Sequence, residues 1–118
     1  MAPTEPHARL AKDLMAASAA PLLLAILAEG DSYGYAILRR VRELSGGRLE
    51  WTEGMLYPVL HRLEERGSIR ARWVPSDAGP PRKVYALSRD GRRALAEARG
   101  QWDVANDTLQ RAWSRTRG

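Results

Sequence analysis

The chain has 118 residues, a length that fits one domain and can bury a core without disulfides or metal. It contains no cysteine, which excludes disulfides, thiolate catalysis and cysteine-ligated zinc. Its net charge is +5, and of its 19 Lys and Arg residues only Lys12 and Lys83 are lysines. Arginine forks suit phosphates and guanine edges. The same excess can reflect an arginine-rich composition or serve solubility, so the position of the charges has to decide.

Residues 1–6 read as a polar, proline-containing tail with no basic start or apolar run of a signal peptide. From His7 to Ala28 the spacing is helical, through Leu10, Leu14 and Ala17 to the broad apolar face of Leu22, Leu23, Ile26 and Leu27. Pro21 interrupts this stretch: either one helix ends near Ser18 and a second opens at Pro21, or a single helix kinks there. The most apolar segment, Pro21 to Ala28, is too short to span a bilayer. These features predict a soluble, cytoplasmic protein that engages no membrane. Gly30 is a plausible stop.

Asp31 and Ser32 supply N-cap chemistry for a second helix. Tyr33, Ile37, Val41 and Leu44 fall on its inner face, Arg39, Arg40 and Arg42 lie outside, and Gly46-Gly47 end it. Thr52 then caps a third helix with Glu53 in its first turn, where the helix dipole favours a carboxylate. Leu56, Val59, Leu60 and Leu63 form its apolar stripe, while Met55, Tyr57, Pro58, His61 and Arg62 are left outside. After Gly67 the period changes to two: Ile69, Ala71 and Trp73 alternate with Ser68, Arg70 and Arg72. The run 75–81 is dense turn chemistry, and a second strand, Arg82 to Leu87, closes a hairpin with Tyr85 and Leu87 on one face.

Short basic helix, glycine, basic hairpin is the layout of a winged helix-turn-helix. The expected fold is mostly α with a two-stranded β-wing, in which 7–88 form the winged-helix unit. Residues 89–118 add a last helix, capped by Ser88 and running to about Trp113, with a frayed tail. That helix carries a heptad, Leu95, Trp102 and Leu109 against Ala98, Ala105 and Ala112, a seam that lets a partner helix approach closely. Trp113 falls near its end.

Several of these residues resemble the PadR-like family of transcriptional regulators. Tyr33-Gly34-Tyr35-Ala36-Ile37 resembles the start of that family's second helix. Gly54-Met55-Leu56-Tyr57-Pro58, with Leu60, Arg62-Leu63-Glu64, Gly67, Ile69 and Trp73, resembles its central signature. Arg82 to Ser88, with Gly91 and Leu95, resembles its wing strand and the start of its last helix. Met55 stands where a small hydroxyl residue is usual, and Val84 where an aromatic is frequent. The resemblance spans roughly residues 20 to 102, and the single C-terminal helix is similar to the compact, dimeric subfamily.

The resemblance implies a homodimeric repressor that binds double-stranded DNA at a pseudo-palindromic operator. It also implies genes of multidrug or phenolic-acid response and, as in some members, release of DNA on binding a small molecule, here expected to be a small aromatic effector. The expected DNA-facing set is Tyr33, Tyr35, Thr52, Gly54, Met55, Tyr57, Pro58, His61 and Arg62, with Arg82 and Lys83 clamping phosphates from the wing. Arg70 and Arg72 read instead as charges that protect a sheet edge. The expected dimer contacts are Leu10, Leu14, Leu95, Trp102, Leu109 and Trp113. Trp102 fits two roles, dimer core or, beside Ala98 and Ala105, one wall of a slot for a flat apolar ligand. Trp51 and Trp73 are expected in the core or beside the dimer contact. His7 and His61 are the only histidines and have no carboxylate at ligand spacing. No motif frames a nucleophilic serine either, so neither metal, cofactor nor catalysis is expected. An alternative of another class is a winged-helix adaptor that binds proteins through its heptad helix and reads no operator.

Overall fold

A computed structural model describes residues 10–116. The elements run α1 (Lys12–Glu29), β1 (Ser32–Tyr33), α2 (Gly34–Ser45), α3 (Glu53–Glu65), β2 (Ile69–Val74), β3 (Arg82–Leu87) and α4 (Arg89–Arg115). The expected tail 1–6, the helix start at His7 and the last two residues lie outside the described range.

Helix α1 is continuous through Pro21, so the proline sits within one helix and separates no second one. Its buried residues are Ala19, Leu23, Leu24, Ile26 and Leu27, and Pro21, Leu22 and Ala25 on its other side are half-buried. A helix apolar on nearly all sides must be covered on more than one. In this chain the core covers one side and α4 part of another.

The start of α2 departs from the sequence expectation. Asp31 and Ser32 do not cap it: the capping position is Tyr33, with no side-chain hydrogen bond. Ser32 and Tyr33 are instead an extended pair bonded to β3, with Ser32 opposite Tyr85 and Tyr33 opposite Val84. Pairing with the hairpin satisfies the backbone groups of Ser32 and Tyr33 themselves and holds them extended ahead of the helix. The sheet therefore has three strands in the order β1-β3-β2, not two, and β3 is its central strand. Asp31 accepts a bond from Arg72 Nη1 at 2.9 Å, tying the turn before α2 to the hairpin. Gly46, with φ of 63°, ends α2 in the left-handed conformation, and the next amide, that of Gly47, donates to the Arg42 carbonyl. Ile37 and Val41 are buried as expected, but Leu44 is exposed because the last turn of α2 extends past the core.

Thr52 caps α3 as its position predicts, accepting from the Met55 amide at 3.3 Å. Ser88 does the same for α4, accepting from Gly91 N at 3.0 Å while its hydroxyl donates to the Gly67 carbonyl at 2.6 Å. Gly91 packs on the Ser68 carbonyl with no space for a β-carbon, which fixes the root of α4 against the start of β2. Helix α4 extends through Ser114 and Arg115, beyond the expected end near Trp113. The core gathers α1, α2 and α3 under the hairpin, with Leu23, Ile37, Leu56, Leu60, Ile69 and Tyr85 fully buried.

Candidate nucleic-acid interface and apolar groove

Helix α3 divides as its period dictates. Leu56, Val59, Leu60 and Leu63 are buried, and Tyr57, Pro58, His61 and Arg62 lie on the exposed side with Thr52 and Gly54 at its start. Met55 is a correction: it is half-buried against the core rather than outside. It stands four residues before Val59 and eight before Leu63, so it extends the buried stripe. Pro58 is the sixth residue of α3, past the first-turn amides that have no helical acceptor, so its missing N–H removes one bond of the helix.

Tyr57 is 37% exposed, and its ring is turned toward α2. Its hydroxyl lies over Gly34, where a β-carbon would come within 2.5 Å of Oη. This contact sets how closely the first turn of α2 approaches α3. The sequence places Gly34 within the run Tyr33–Ile37 but gives no sign that Tyr57 is what excludes a side chain there.

The wing carries its charges on aromatic supports. The Arg82 guanidinium stands 3.9 Å from the centre of the Tyr33 ring, bringing together two residues that are 49 positions apart in the chain. That separation is bridged by the pairing of Tyr33 with Val84. A guanidinium over a ring face is held by the ring quadrupole and keeps its edge donors for another acceptor. Tyr35 is exposed on α2 with Arg39 5.5 Å from its ring. Lys83 is half-buried, with Nζ 5.8 Å from the Trp73 ring and 5.6 Å from that of Tyr85. Burial raises the Tyr85 phenol above its ordinary value, and the neighbouring Tyr57 and Glu64 add to the effect.

Other charges are taken up within the chain. Arg40 binds Glu29 through two bonds, at 2.9 and 2.8 Å, and also reaches Glu43. The hydrogen bond from Arg40 holds the Glu29 carboxyl below the usual range. Arg72 is engaged by Asp31. Trp51 is buried in the core as expected, whereas Trp73, 67% exposed, is not a core residue.

On the side of α1 away from the sheet lies an open groove of about 630 Å³. Pro21, Leu22 and Ala25 of α1 form one wall, Leu95, Ala98 and Trp102 of α4 the other, and Leu49 of the α2–α3 linker the floor. Leu10 and Arg99 also line it. Trp102 and Ala98 are therefore brought together as the sequence suggests, while Ala105 lies outside the lining. Leu95 packs partly against its own core. From residue 101 to 116 every side chain of α4 is exposed, including Leu109 and Trp113, and Leu14 is exposed on α1. Sequence reasoning missed the α1 wall, although the all-round apolarity of that helix signals it.

Among the described residues no helix is long and apolar enough to cross a membrane, and no group of three or more His, Asp or Glu residues is placed to hold a metal ion.

Three helices, an amphipathic third helix behind a short turn and a three-stranded wing define a winged helix-turn-helix protein. The transcriptional regulator PadR-like family matches residues 23–97. The chain is 31% identical to a PadR-like transcription factor from Bacteroides fragilis over 86% of its own length and 96% of that chain, with a TM-score of 0.72. A PadR family transcriptional regulator from Eggerthella lenta is 28% identical, with 85% of each chain covered and a TM-score of 0.75. The transcriptional regulator YqjI of Escherichia coli is 29% identical over 75% of this chain, which spans only 41% of that protein. The chain belongs to the PadR-like family of transcriptional regulators, non-enzymatic DNA-binding proteins that are generally dimeric.

Proposed function

We propose that the protein is a cytoplasmic, homodimeric repressor that binds a pseudo-palindromic operator through α3 and is released by a small apolar or aromatic ligand. In this reading 7–88 form the DNA-binding unit and 89–118 the dimerisation segment. The observation that carries it is the division of α3. Leu56 and Leu60 are fully buried while Pro58, His61 and Arg62 stand in solvent beside a capped helix start, so one rigid element offers a polar face to a groove. Thr52 takes up the Met55 amide, so the amides of Glu53 and Gly54 are the ones offered to phosphate. Arg62 and His61 reach base edges or backbone, and Tyr33, Tyr35, Arg82 and Lys83 contact the flanking strand. Tyr57 sets the α2–α3 angle in addition to any phosphate contact, and half-buried Met55 offers only its edge to a thymine methyl.

The uncovered half of α4 supports dimerisation. Its exposed Leu109 and Trp113, together with Leu10 and Leu14, offer apolar surface to a second copy. The two copies then enclose the groove around Trp102 and Ala98, making an apolar slot for the effector.

Duplex from the region immediately upstream of the protein's own gene tests the reading. Retention should fall linearly in log–log form as salt rises, as expected for release of counterions from phosphates. No retention at about 50 mM salt over several candidate operators favours the adaptor alternative and removes this one.

A further inference from the structure

Trp73 is a large exposed aromatic that the reading above leaves unused. Across the hairpin, Ile69 pairs with Leu87, Ala71 with Tyr85 and Trp73 with Lys83, so these six side chains share one face of the sheet. That face is the buried one: Ile69 and Tyr85 are each 1% exposed. Trp73 lies one step farther along it, where the core has ended, and is 67% exposed. Among the described residues the Lys83 ammonium lies near the ring, 5.8 Å from its centre.

The direction of β2 fixes where this ring sits. After Gly67, with its left-handed backbone, the four residue steps from Ile69 to Trp73 span roughly 13 Å. That distance equals the rise of about nine residues of a helix such as α3. Tyr85, opposite Ala71, already neighbours both Tyr57 and Glu64, and Trp73 is two residues nearer the wing tip. The indole therefore stands at the same end of the molecule as the start of α3. The apolar groove is on a different face, and Trp73 is not among its walls.

We propose that Trp73 and Lys83 together form a DNA contact on the inner face of the wing, the indole packing on deoxyribose and the ammonium neutralising the adjoining phosphate. The inference rests on the operator reading above and deepens it. An exposed tryptophan beside a cation suits a surface that alternates apolar sugar with anionic phosphate. Arg82, over Tyr33, carries a second positive charge on the opposite face of the same strand, so the wing is basic on both sides. A second protein copy would gain from the indole but not from a lysine beside it.

The test compares wild type, Trp73→Ala, Trp73→Phe and Lys83→Ala on the upstream duplex. Trp73→Ala should weaken binding about ten-fold, as for an interface tryptophan, with its salt slope unchanged because no charge is lost. Trp73→Phe should restore most of the affinity, while Lys83→Ala should lower the salt slope by about 1. Thermal midpoints of both Trp73 variants should match wild type, since the ring is mostly solvated. DNA-induced change in tryptophan emission should be lost in Trp73→Phe while binding persists. Equal binding by wild type and Trp73→Ala overturns this contact and leaves the operator reading intact. A lowered midpoint, or weakened self-association in Trp73→Ala, also overturns it by showing a structural or dimer role. Failure of wild type itself to bind duplex overturns both.

Discussion

The Tyr57 hydroxyl and the α-carbon of Gly34 are in such close contact that a β-carbon at residue 34 would lie 2.5 Å from Oη and 3.4 Å from Cζ. The two residues belong to successive helices, and their contact sets the approach of α2 to α3. Gly34→Ala should therefore force Tyr57 to move or the helices to part, at a cost of about 1–3 kcal/mol, the usual range for overpacking. Tyr57→Phe removes the closest atom and leaves only the tight contact to Cζ. The double variant should recover part of the loss, with a coupling of about 0.5–3 kcal/mol in a denaturant-based cycle. Strict additivity would show that Gly34 is there for another reason.

Arg62 tests the polar face of α3. It is exposed, so Arg62→Ala should leave the thermal midpoint within the small range of surface substitutions. Operator affinity should fall by about 1–3 kcal/mol if the fork reads a base edge, with relaxed preference at one position of the site. If it holds a phosphate instead, the loss is uniform across sequences and the salt slope falls by about 1. Binding assays on the operator and on single-base variants of it separate these results, and unchanged affinity on all of them removes Arg62 from the interface.

The division of α3 and the presence of the wing were legible in the sequence because each rests on a strong period. Leu56, Leu60 and Leu63 repeat at helical spacing behind a threonine cap, and the run from Ile69 to Trp73 alternates before a stretch rich in proline. Periodicity does not show where a core stops. Trp73 continues the alternation of Ile69 and Ala71, yet the core ends before it, and Leu44 continues the stripe of Ile37 and Val41 in the same way. Met55 is the opposite case: it stands four residues before Val59 and so shares the buried stripe, although it lies outside the leucine repeat that marks that stripe in the sequence. The two-residue strand Ser32–Tyr33 is too short to show a period, and Asp31-Ser32 offers cap chemistry that competes for the same reading. Only the long-range pairing with Val84 and Tyr85 decides between them. Arg82 over Tyr33 follows from that pairing and was hidden for the same reason.

The free half of α4 gives a prediction about assembly. A helix with Leu109 and Trp113 exposed gains stability when a second copy covers it. The thermal midpoint of wild type should then rise with protein concentration, since association binds only the folded chain. Leu109→Glu would place a charge in the seam, and it should convert a sedimenting dimer to monomer without melting the core. A monomer at micromolar wild-type concentration would remove the dimer from the proposal. For the groove, planar aromatic dyes should quench tryptophan emission in wild type, and Trp102→Ala should abolish that quenching. Quenching that survives the substitution places the dye elsewhere.

Tyr85 gives stability a dependence on alkaline pH. A solvated phenol titrates near 10.0, and burial in the folded chain raises the Tyr85 value above that. Between the two values the folded state holds a proton that the unfolded state has lost, so unfolding free energy falls as pH rises. The contribution is complete below about 10 and is lost as pH passes upward through the folded value. Denaturation midpoints measured across that window should decline in wild type. Tyr85→Phe removes the titrating group, keeps the ring within the core cluster that includes Ile37 and Leu60, and should flatten the decline. An equally steep decline in the variant would assign the alkaline loss to other groups and show that the Tyr85 hydroxyl is as well solvated folded as unfolded.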